Sequence, residues 1–177
     1  MIEYISETGS TNADLSARLA AGERIAEGYW LIANCQTAGR GRQGREWFDG
    51  AGNFMGSTVV HLHAADPPPG TLALLAALAL HEVISVRLQP PQWALLKWPN
   101  DVMIGAAKLA GILLERVSES VVIGIGVNLA AAPAVADRET IALSAFGPAP
   151  DRDSFAAGLA RQFDLELERW QIGRAHV

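Results

Sequence analysis

Two apolar segments rich in β-branched residues constrain the fold of this chain more than any other feature. They are LAGILLERV at 109–117 and SVVIGIGVNL at 120–129, separated by the short polar stretch SES at 118–120. Apolar, β-branched segments are typical of buried strands, and a short polar connection is typical of a hairpin turn. We therefore predict that the two segments are core strands joined by a hairpin.

Helical and strand patterns alternate along the rest of the chain, without internal repeats. Helices are predicted for 11–22 after an N-cap at Ser10 or Thr11, for 71–88, and for 155–170. Further strands are predicted for YWLIANC at 29–35, NFMGSTVVHL at 53–62 and ALLK at 94–97. A chain of 177 residues with 50% hydrophobic residues can bury a full core. The sequence therefore predicts one mixed α/β domain over residues 1–170.

Composition argues against several classes of protein. The formal net charge of −5 gives no general attraction to nucleic acid or to an anionic membrane. The longest apolar run, at 72–80, is too short to span a bilayer, and the acidic N-terminus does not read as a secretory signal. Cys35 is the single cysteine, so no intramolecular disulfide can form, and packing explains it better than nucleophilic catalysis. We predict a cytoplasmic protein.

The stretch CQTAGRGRQGREW at 35–47 contains glycines at the G-x-G-x-x-G spacing of a dinucleotide-binding turn. Such a turn opens directly into a helix whose N-terminus binds pyrophosphate. The following residues have no helical period, and the nearest acidic candidate for a ribose contact, Asp66, precedes three prolines. A nicotinamide-binding oxidoreductase is therefore disfavoured.

Three interleaved arginines, Arg40, Arg42 and Arg45, are the informative part of this stretch. Each guanidinium can bind carboxylate or phosphate through paired hydrogen bonds, and the glycines allow the backbone to close over a ligand. The alternatives for such a loop are an anion clamp, a solvated basic loop, or a nucleic-acid-binding loop. Two other segments favour a ligand site. KWPND at 97–101 places polar groups at the end of a strand, and Lys108 stands at the start of an apolar one.

With these motifs in order, the sequence resembles the biotin-protein ligases. The matching segments are GSTN at 9–12, QTAGRGRQGREW at 36–47, KWPND at 97–101, KLAGILLE at 108–115 and GIGVNL at 124–129. The resemblance implies an α/β catalytic domain, a mixed β-sheet flanked by helices, related to lipoate ligases and class II aminoacyl-tRNA synthetases. It implies two reactions. Biotin and ATP give biotinoyl-5'-AMP and pyrophosphate, and a lysine of a biotin carboxyl carrier protein domain then takes the biotinoyl group.

The same resemblance implies roles for individual residues. The biotin-binding positions are Ser10, Thr11, Asn12 and Gln36, and the loop that closes over biotin and the adenylate carries Arg40, Gly41 and Arg42. The nucleotide side comprises Arg45, Lys97, Asn100, Asp101 and Asn128, with Mg²⁺ bridging phosphates rather than held in a protein cage. Lys108 matches the lysine between carboxylate and α-phosphate. Lys108, Arg42 and Asp101 are the predicted catalytic residues, and Trp47 is expected to support the loop.

Departures from the family pattern set further expectations. Gly9 replaces a frequent Asp, the first motif begins too early for an N-terminal winged helix, and the chain stops before the usual C-terminal β-barrel domain. The final residues QIGRAHV, at 171–177, match a translated sequencing-library adapter, so we predict a non-native tail there. The histidines lack metal-ligand spacing. Lipoate-protein ligase remains the nearest alternative function, and formation of a homodimer stays open.

Overall fold

A seven-stranded mixed sheet forms the centre of the computed structural model, which describes residues 1–136 and 138–172. The strand order is β1-β2-β3-β7-β6-β5-β4. The strands are β1 Ile2–Thr8, β2 Trp30–Gln36, β3 Phe54–His61, β4 Ala94–Lys97, β5 Asp101–Ile104, β6 Ala107–Val117 and β7 Ser120–Val127. β1 and β2 run parallel, and the other neighbours are antiparallel. Of the tail predicted at 171–177, residues 173–177 lie outside the described residues.

Within the described residues, three α-helices cover the two faces of the sheet. They are α1 Thr11–Ala20, α2 Leu72–Ser85 and α3 Arg152–Ile172. Alternation along β2 decides which face each helix covers, because successive side chains of a strand point to opposite sides. Trp30 and Ile32 pack with α2 and α3, whereas Leu31 packs with Leu15 of α1. The predicted mixed sheet flanked by helices is confirmed.

The β6–β7 hairpin forms as its apolar sequence predicts. Val117 pairs with Ser120, and Ser118 adopts a left-handed φ of 51° in the tight turn. The pairing places Gly111 of β6 opposite Gly126 of β7. This glycine pair leaves room above the sheet for a side chain from elsewhere.

Local chemistry explains where α1 begins. Ser10 has extended backbone geometry, and its hydroxyl accepts from the Ala13 N–H at 3.4 Å, which caps the helix. Asp14 in the first turn accepts from the Thr8 hydroxyl at 2.5 Å. The cap also fixes the direction of the helix, so that the first turn of α1 lies beside the end of β2. The predicted start of this helix is confirmed, and it ends at Ala20, shortly before the predicted stop at Gly22.

Two strands had no sequence prediction. β1 is an edge strand with two glutamates, and β5 has only four residues. Edge strands need only one apolar face, so their pattern is weak. β5 nevertheless matters for the site, because its first residue, Asp101 of the KWPND segment, pairs with Gly111 of β6.

Candidate active site

The first turn of α1 and the inner strands of the sheet enclose a small pocket of about 50 Å³. Its wall contains polar side chains from α1, β2 and β3, and glycine backbone from β6 and β7. Predicted biotin-binding residues that line it are Ser10, Thr11, Asn12, Gln36, Arg40, Gly41 and Arg42. The structure therefore brings together side chains that the sequence separates by up to 32 positions.

Hydrogen bonds tie four of the lining side chains, and Glu115 behind them, into one network, which we call the pocket floor: Thr11, Asn12, Gln36, Ser57 and Glu115. The Gln36 Oε1 accepts from the Thr11 N–H at 2.8 Å. The Thr11 and Ser57 hydroxyl oxygens lie 2.8 Å apart, and Ser57 donates to Asn12 Oδ1 at 2.8 Å. Asn12 Nδ2 donates to Glu115 Oε2 at 2.5 Å. Ser57 and Glu115 had no predicted role.

Glycines make this arrangement sterically possible. A Cβ at Gly124 would lie 2.5 Å from Asn12 Oδ1, and a Cβ at Gly126 would lie 2.2 Å from the Trp47 ring. Both distances are far below van der Waals contact, so these strand positions tolerate only glycine without rearrangement. The Trp47 indole lies over the Gly111–Gly126 pair, which explains the small volume of the pocket.

A larger cavity of about 760 Å³ adjoins the small pocket. One wall is the Arg-Gly loop, defined here as residues 39–47, and the opposite wall includes Asn128, Arg138 and Thr140. Seven residues line both cavities and thus mark their junction: Gln36, Arg40, Gly41, Arg42, Trp47, Asn100 and Lys108. A ligand extending from one cavity into the other would pass Lys108.

The Arg-Gly loop closes on itself rather than opening into an α-helix. The Trp47 N–H donates to the Gly39 carbonyl at 2.9 Å, and the Gly41 N–H donates to the Arg45 carbonyl at 2.7 Å. A short 3-10 turn at Arg42–Gly44 includes a left-handed φ of 72° at Gly44. The rejection of a dinucleotide-binding turn is thus supported by geometry, because no helix terminus faces the cavity from this loop.

Lys108 has two partners at the junction. Its Nζ lies 2.6 Å from Asp101 Oδ1, and both side chains are largely buried. The same ammonium lies 5.7 Å from the centre of the Trp47 ring, within range of a cation–π interaction. Asp101 thus holds the ammonium in place and offsets its charge. The predicted catalytic pair Lys108 and Asp101 is therefore an ion pair in the structure.

Two asparagines carry oriented amides at the larger cavity. Asn100 Nδ2 donates to the Ile112 carbonyl at 2.9 Å, and its Oδ1 accepts from Arg42 at 3.1 Å. Asn128 Nδ2 donates to the Ile141 carbonyl at 3.2 Å, while its buried Oδ1 has no hydrogen-bond partner. A buried acceptor without a partner favours a ligand that supplies a donor, such as an exocyclic amine.

Among the predicted site residues, Lys97 is the one that lines neither cavity. It ends the edge strand β4 and pairs across the strands with Asp101. Arg45 and Asn128 line the larger cavity as predicted for the nucleotide side. The last two residues of the KWPND motif thus lie at the larger cavity, whereas its lysine lies at the sheet edge.

Cys35 lies beside this site without the character of a nucleophile. Its thiol donates to Asp49 Oδ2 at 3.0 Å. That hydrogen bond, together with desolvation and the negative charges of Asp49 and Glu7, raises the pKa of the thiol from 9.0 to about 11. A thiol with so high a pKa is almost fully protonated at neutral pH and reacts slowly.

Residues 1–136 and 138–172 contain neither a cluster of metal ligands nor a membrane-spanning helix. In this part of the chain, no group of three or more His, Cys, Asp or Glu side chains is placed to hold a metal ion. Over the same residues, no helix combines the length and hydropathy needed to cross a membrane.

Comparison with known proteins matches this fold and site to one family. The family model for biotin/lipoate A/B protein ligases matches residues 10–128. The chain is 41% identical to the biotin-(acetyl-CoA-carboxylase) ligase of Mycobacterium tuberculosis, over 96% of this chain and 65% of that protein. It is 39% identical to the protein of the same name from Paracoccus denitrificans, over 94% of this chain and 71% of the relative. The chain thus spans about two thirds of their length.

A solved structure is similar over nearly the whole chain. The biotin protein ligase from Aquifex aeolicus, solved in complex with biotin and ATP, superposes with a TM-score of 0.82 at 25% identity. The match covers 96% of this chain and 71% of that structure. The family model covers every segment that lines the small pocket, from Ser10 to Gly126. On sequence, fold and site together, the chain belongs to the biotin/lipoate A/B protein ligase family.

Proposed function

We propose that this chain is the catalytic part of an ATP-dependent biotin-protein ligase. The observation that carries the proposal is the junction of the two cavities at Lys108. A polar pocket suited to a small cyclic ligand opens there into a larger cavity lined by arginines. The similarity to ligases of M. tuberculosis, P. denitrificans and A. aeolicus supports the assignment of biotin and ATP to these cavities.

In the first step, an oxygen of the biotin carboxylate attacks the α-phosphorus of MgATP. The bond between the α-phosphorus and the bridging oxygen breaks, and pyrophosphate leaves. Both reactants are anions, so the main tasks of the protein are to position them and to offset their charge. Lys108 stands at the junction with its ammonium largely buried, where a charge interaction is screened little by water.

Mg²⁺ enters this step as part of the nucleotide substrate. We propose that phosphate oxygens and water hold this ion, rather than a cage of protein side chains. Asn100 and Asp101 line the larger cavity and carry oxygens that could complete its coordination. Arg45 lines the same cavity and is the proposed contact for the departing pyrophosphate.

In the second step, the amine of a carrier-protein lysine attacks the carbonyl carbon of the adenylate. An amide bond forms, AMP leaves with the electrons of the carbonyl–oxygen bond, and the amine loses a proton. We propose a biotin carboxyl carrier protein as the acceptor. We also propose a cytoplasmic location, for which the free thiol of Cys35 provides support.

Lipoate-protein ligase is the alternative within the same family. The pocket floor favours biotin, because its amides and hydroxyls match a ureido ring that donates and accepts hydrogen bonds. The dithiolane ring of lipoate supplies no N–H donor, so it would form none of the hydrogen bonds that a ureido ring can add to the remaining lone pairs of these groups.

Biotin-dependent exchange of labelled pyrophosphate into ATP tests the proposal. The expected result is exchange that requires biotin and is not supported by lipoate, followed by labelling of a biotin carrier domain. Folded protein that gives no exchange above the control without biotin would contradict the assignment. Exchange that depends on lipoate instead would establish the alternative.

A further inference from the structure

We propose that Glu115 is a positioning residue that fixes the orientation of the Asn12 amide and, through it, the direction of the Ser57 hydrogen bond, and thereby favours a ligand ring that carries N–H groups. This inference rests on the proposed function and concerns the biotin side of the same site. Glu115 lies near the end of β6, directly after the apolar segment LAGILL at 109–114, and its side chain is 31% exposed.

The direction follows from the chemistry of a carboxylate. Ionised glutamate accepts hydrogen bonds and cannot donate them, whereas an asparagine amide has one donating and one accepting end. With Glu115 Oε2 at 2.5 Å, the facing end of Asn12 must be its NH₂ group. The opposite end, Oδ1, is therefore fixed as an acceptor toward Ser57 and Gly124.

The constraint then passes along the network. Since Asn12 Oδ1 accepts, the single hydroxyl hydrogen of Ser57 is directed to it at 2.8 Å. The Thr11–Ser57 contact, also 2.8 Å, can then form only with Thr11 as the donor. Gln36 Oε1, at 3.1 Å, is a second acceptor within reach of the same Thr11 hydroxyl hydrogen. One carboxylate thus sets the direction of two successive bonds, from Asn12 to Glu115 and from Ser57 to Asn12.

The outcome is a floor that presents acceptors to the ligand. Asn12 Oδ1 and the Thr11 hydroxyl oxygen each keep lone-pair capacity beyond these bonds, and both residues line the small pocket. A cyclic urea supplies two N–H donors, whereas a dithiolane ring supplies none. Arg40 lies 3.8 Å from the other oxygen of Glu115 and offsets the negative charge beside the site.

Substitution of Glu115 by glutamine tests this role with almost no change of shape. Glutamine can turn either end of its amide to Asn12, so the direction of the bonds is no longer fixed. We expect the Kd for biotin, measured by calorimetry, to rise on the order of tenfold, the effect of a lost or reversed buried hydrogen bond. The KM for ATP and the thermal midpoint should stay close to those of the parent. Glu119→Gln removes an exposed carboxylate from the adjoining turn and is the matched control.

A double-mutant cycle distinguishes positioning from any other effect of the charge. If Glu115 acts through Asn12, then Glu115→Gln should weaken biotin binding in the parent and have no further effect in an Asn12→Ala background. Equal effects in both backgrounds would overturn the inference. So would a Glu115→Gln variant that binds biotin as tightly as the parent.

A measurement without ligand separates this inference from the proposed function. In the parent, NMR should show one Asn12 side-chain amide proton shifted downfield by its charge-assisted bond to the carboxylate, and Glu115→Gln should abolish the shift. Absence of that shift in the parent would overturn the inference even if biotin binds. Folded parent protein that binds no biotin would overturn the proposed function, and the ligand selection with it.

Discussion

The pocket floor and the Arg-Gly loop face the same ligand site but are built in opposite ways. Thr11, Asn12, Gln36 and Ser57 of the floor are each at most 8% exposed, and every one bonds another member of the network. In the loop, Arg40 is about half exposed, and the 3-10 turn buries none of its residues. The floor is complete without a ligand, whereas the arginines of the loop have few partners inside the protein.

This difference indicates that the floor and the loop have separate roles. A prearranged floor costs little entropy when the ligand binds, so it suits recognition of a small rigid ring. A loop that must be ordered around its ligand loses entropy on closing, and anion contacts have to offset that loss. We infer that recognition belongs to the floor and retention of the intermediate to the loop, with Lys108 between them.

The largest expected effect is at the junction itself. Lys108→Ala should slow formation of the adenylate by about 2–4 kcal/mol in activation free energy, because it removes a largely buried charge at the reacting groups. Single-turnover assays with rapid quenching measure this step directly. Arg87→Ala, which removes an exposed cation after α2, is the control. Adenylate formation at the parent rate would exclude the proposed role of Lys108.

A second prediction concerns the Gly111–Gly126 pair beneath Trp47. Gly126→Ala places a methyl group 2.2 Å from the indole, so the ring or the strand must move. Overpacking of this kind should lower the free energy of unfolding by about 1–3 kcal/mol and weaken biotin binding. Denaturant titration measures the first effect and calorimetry the second.

The control for that substitution has the opposite expected sign. Gly158 lies within α3, and the nearest atom to its added Cβ would be 3.8 Å away, at ordinary contact distance. Gly158→Ala should stabilise the protein by up to about 1 kcal/mol, because alanine favours a helix over glycine. A Gly126→Ala protein that behaves like the Gly158→Ala protein would show that Trp47 does not rest on the glycine pair.

How much the sequence predicts also differs between the two regions. The Arg-Gly loop is one continuous segment, so its glycines and arginines can be recognised as a motif in the sequence. The floor is assembled from contacts such as Asn12 to Glu115, which are 103 positions apart. A polar Ser57 and a charged Glu115 inside apolar strand patterns were signals for that network, but only the register of β3, β6 and β7 shows which residue each one meets.

Prediction of the fold from sequence is limited in the same way. Long, strongly patterned elements such as the β6–β7 hairpin and α3 follow from local sequence, because burial decides their pattern. β1 and β5 do not, since a short or edge strand depends on neighbours that are distant in sequence. Lys97 illustrates the effect on site prediction. Lys97 and Asp101 belong to the same five-residue motif, but the turn between β4 and β5 leaves the lysine at the sheet edge.

A third prediction uses Cys35 to report on the segment that follows the loop. Asp49 raises the pKa of the Cys35 thiol to about 11, so the thiolate fraction is very small at pH 8 and rises only as the pH approaches that value. Asp49→Asn removes the charge and the strongest acceptor, which lowers the pKa toward its ordinary value. Alkylation by iodoacetamide at pH 8 should then accelerate on the order of tenfold. Ser6→Asn on the exposed strand β1 is the control. Equal alkylation rates in the parent and in Asp49→Asn would show that the hydrogen bond does not form in solution.

The smallest expected effect tests the retention role of the loop. Arg42 donates to Asn100 across the junction at 3.1 Å, and its neighbours are Gly41 and Gln43, the latter with a left-handed φ of 60°. Arg42→Gly removes that contact and the anion contacts of the guanidinium, and adds backbone freedom, so the loop should open more often. The adenylate should still form but escape about two- to tenfold faster, the change expected for loss of one ordinary hydrogen bond. Rapid filtration of preformed adenylate measures its release, and labelling of bystander lysines reports the escaped product.

Lys108→Ala should label neither carrier nor bystander, because it forms little adenylate. If Arg42→Gly retains its adenylate as long as the parent does, the loop is not the retaining element, and retention would have to be sought in the floor as well.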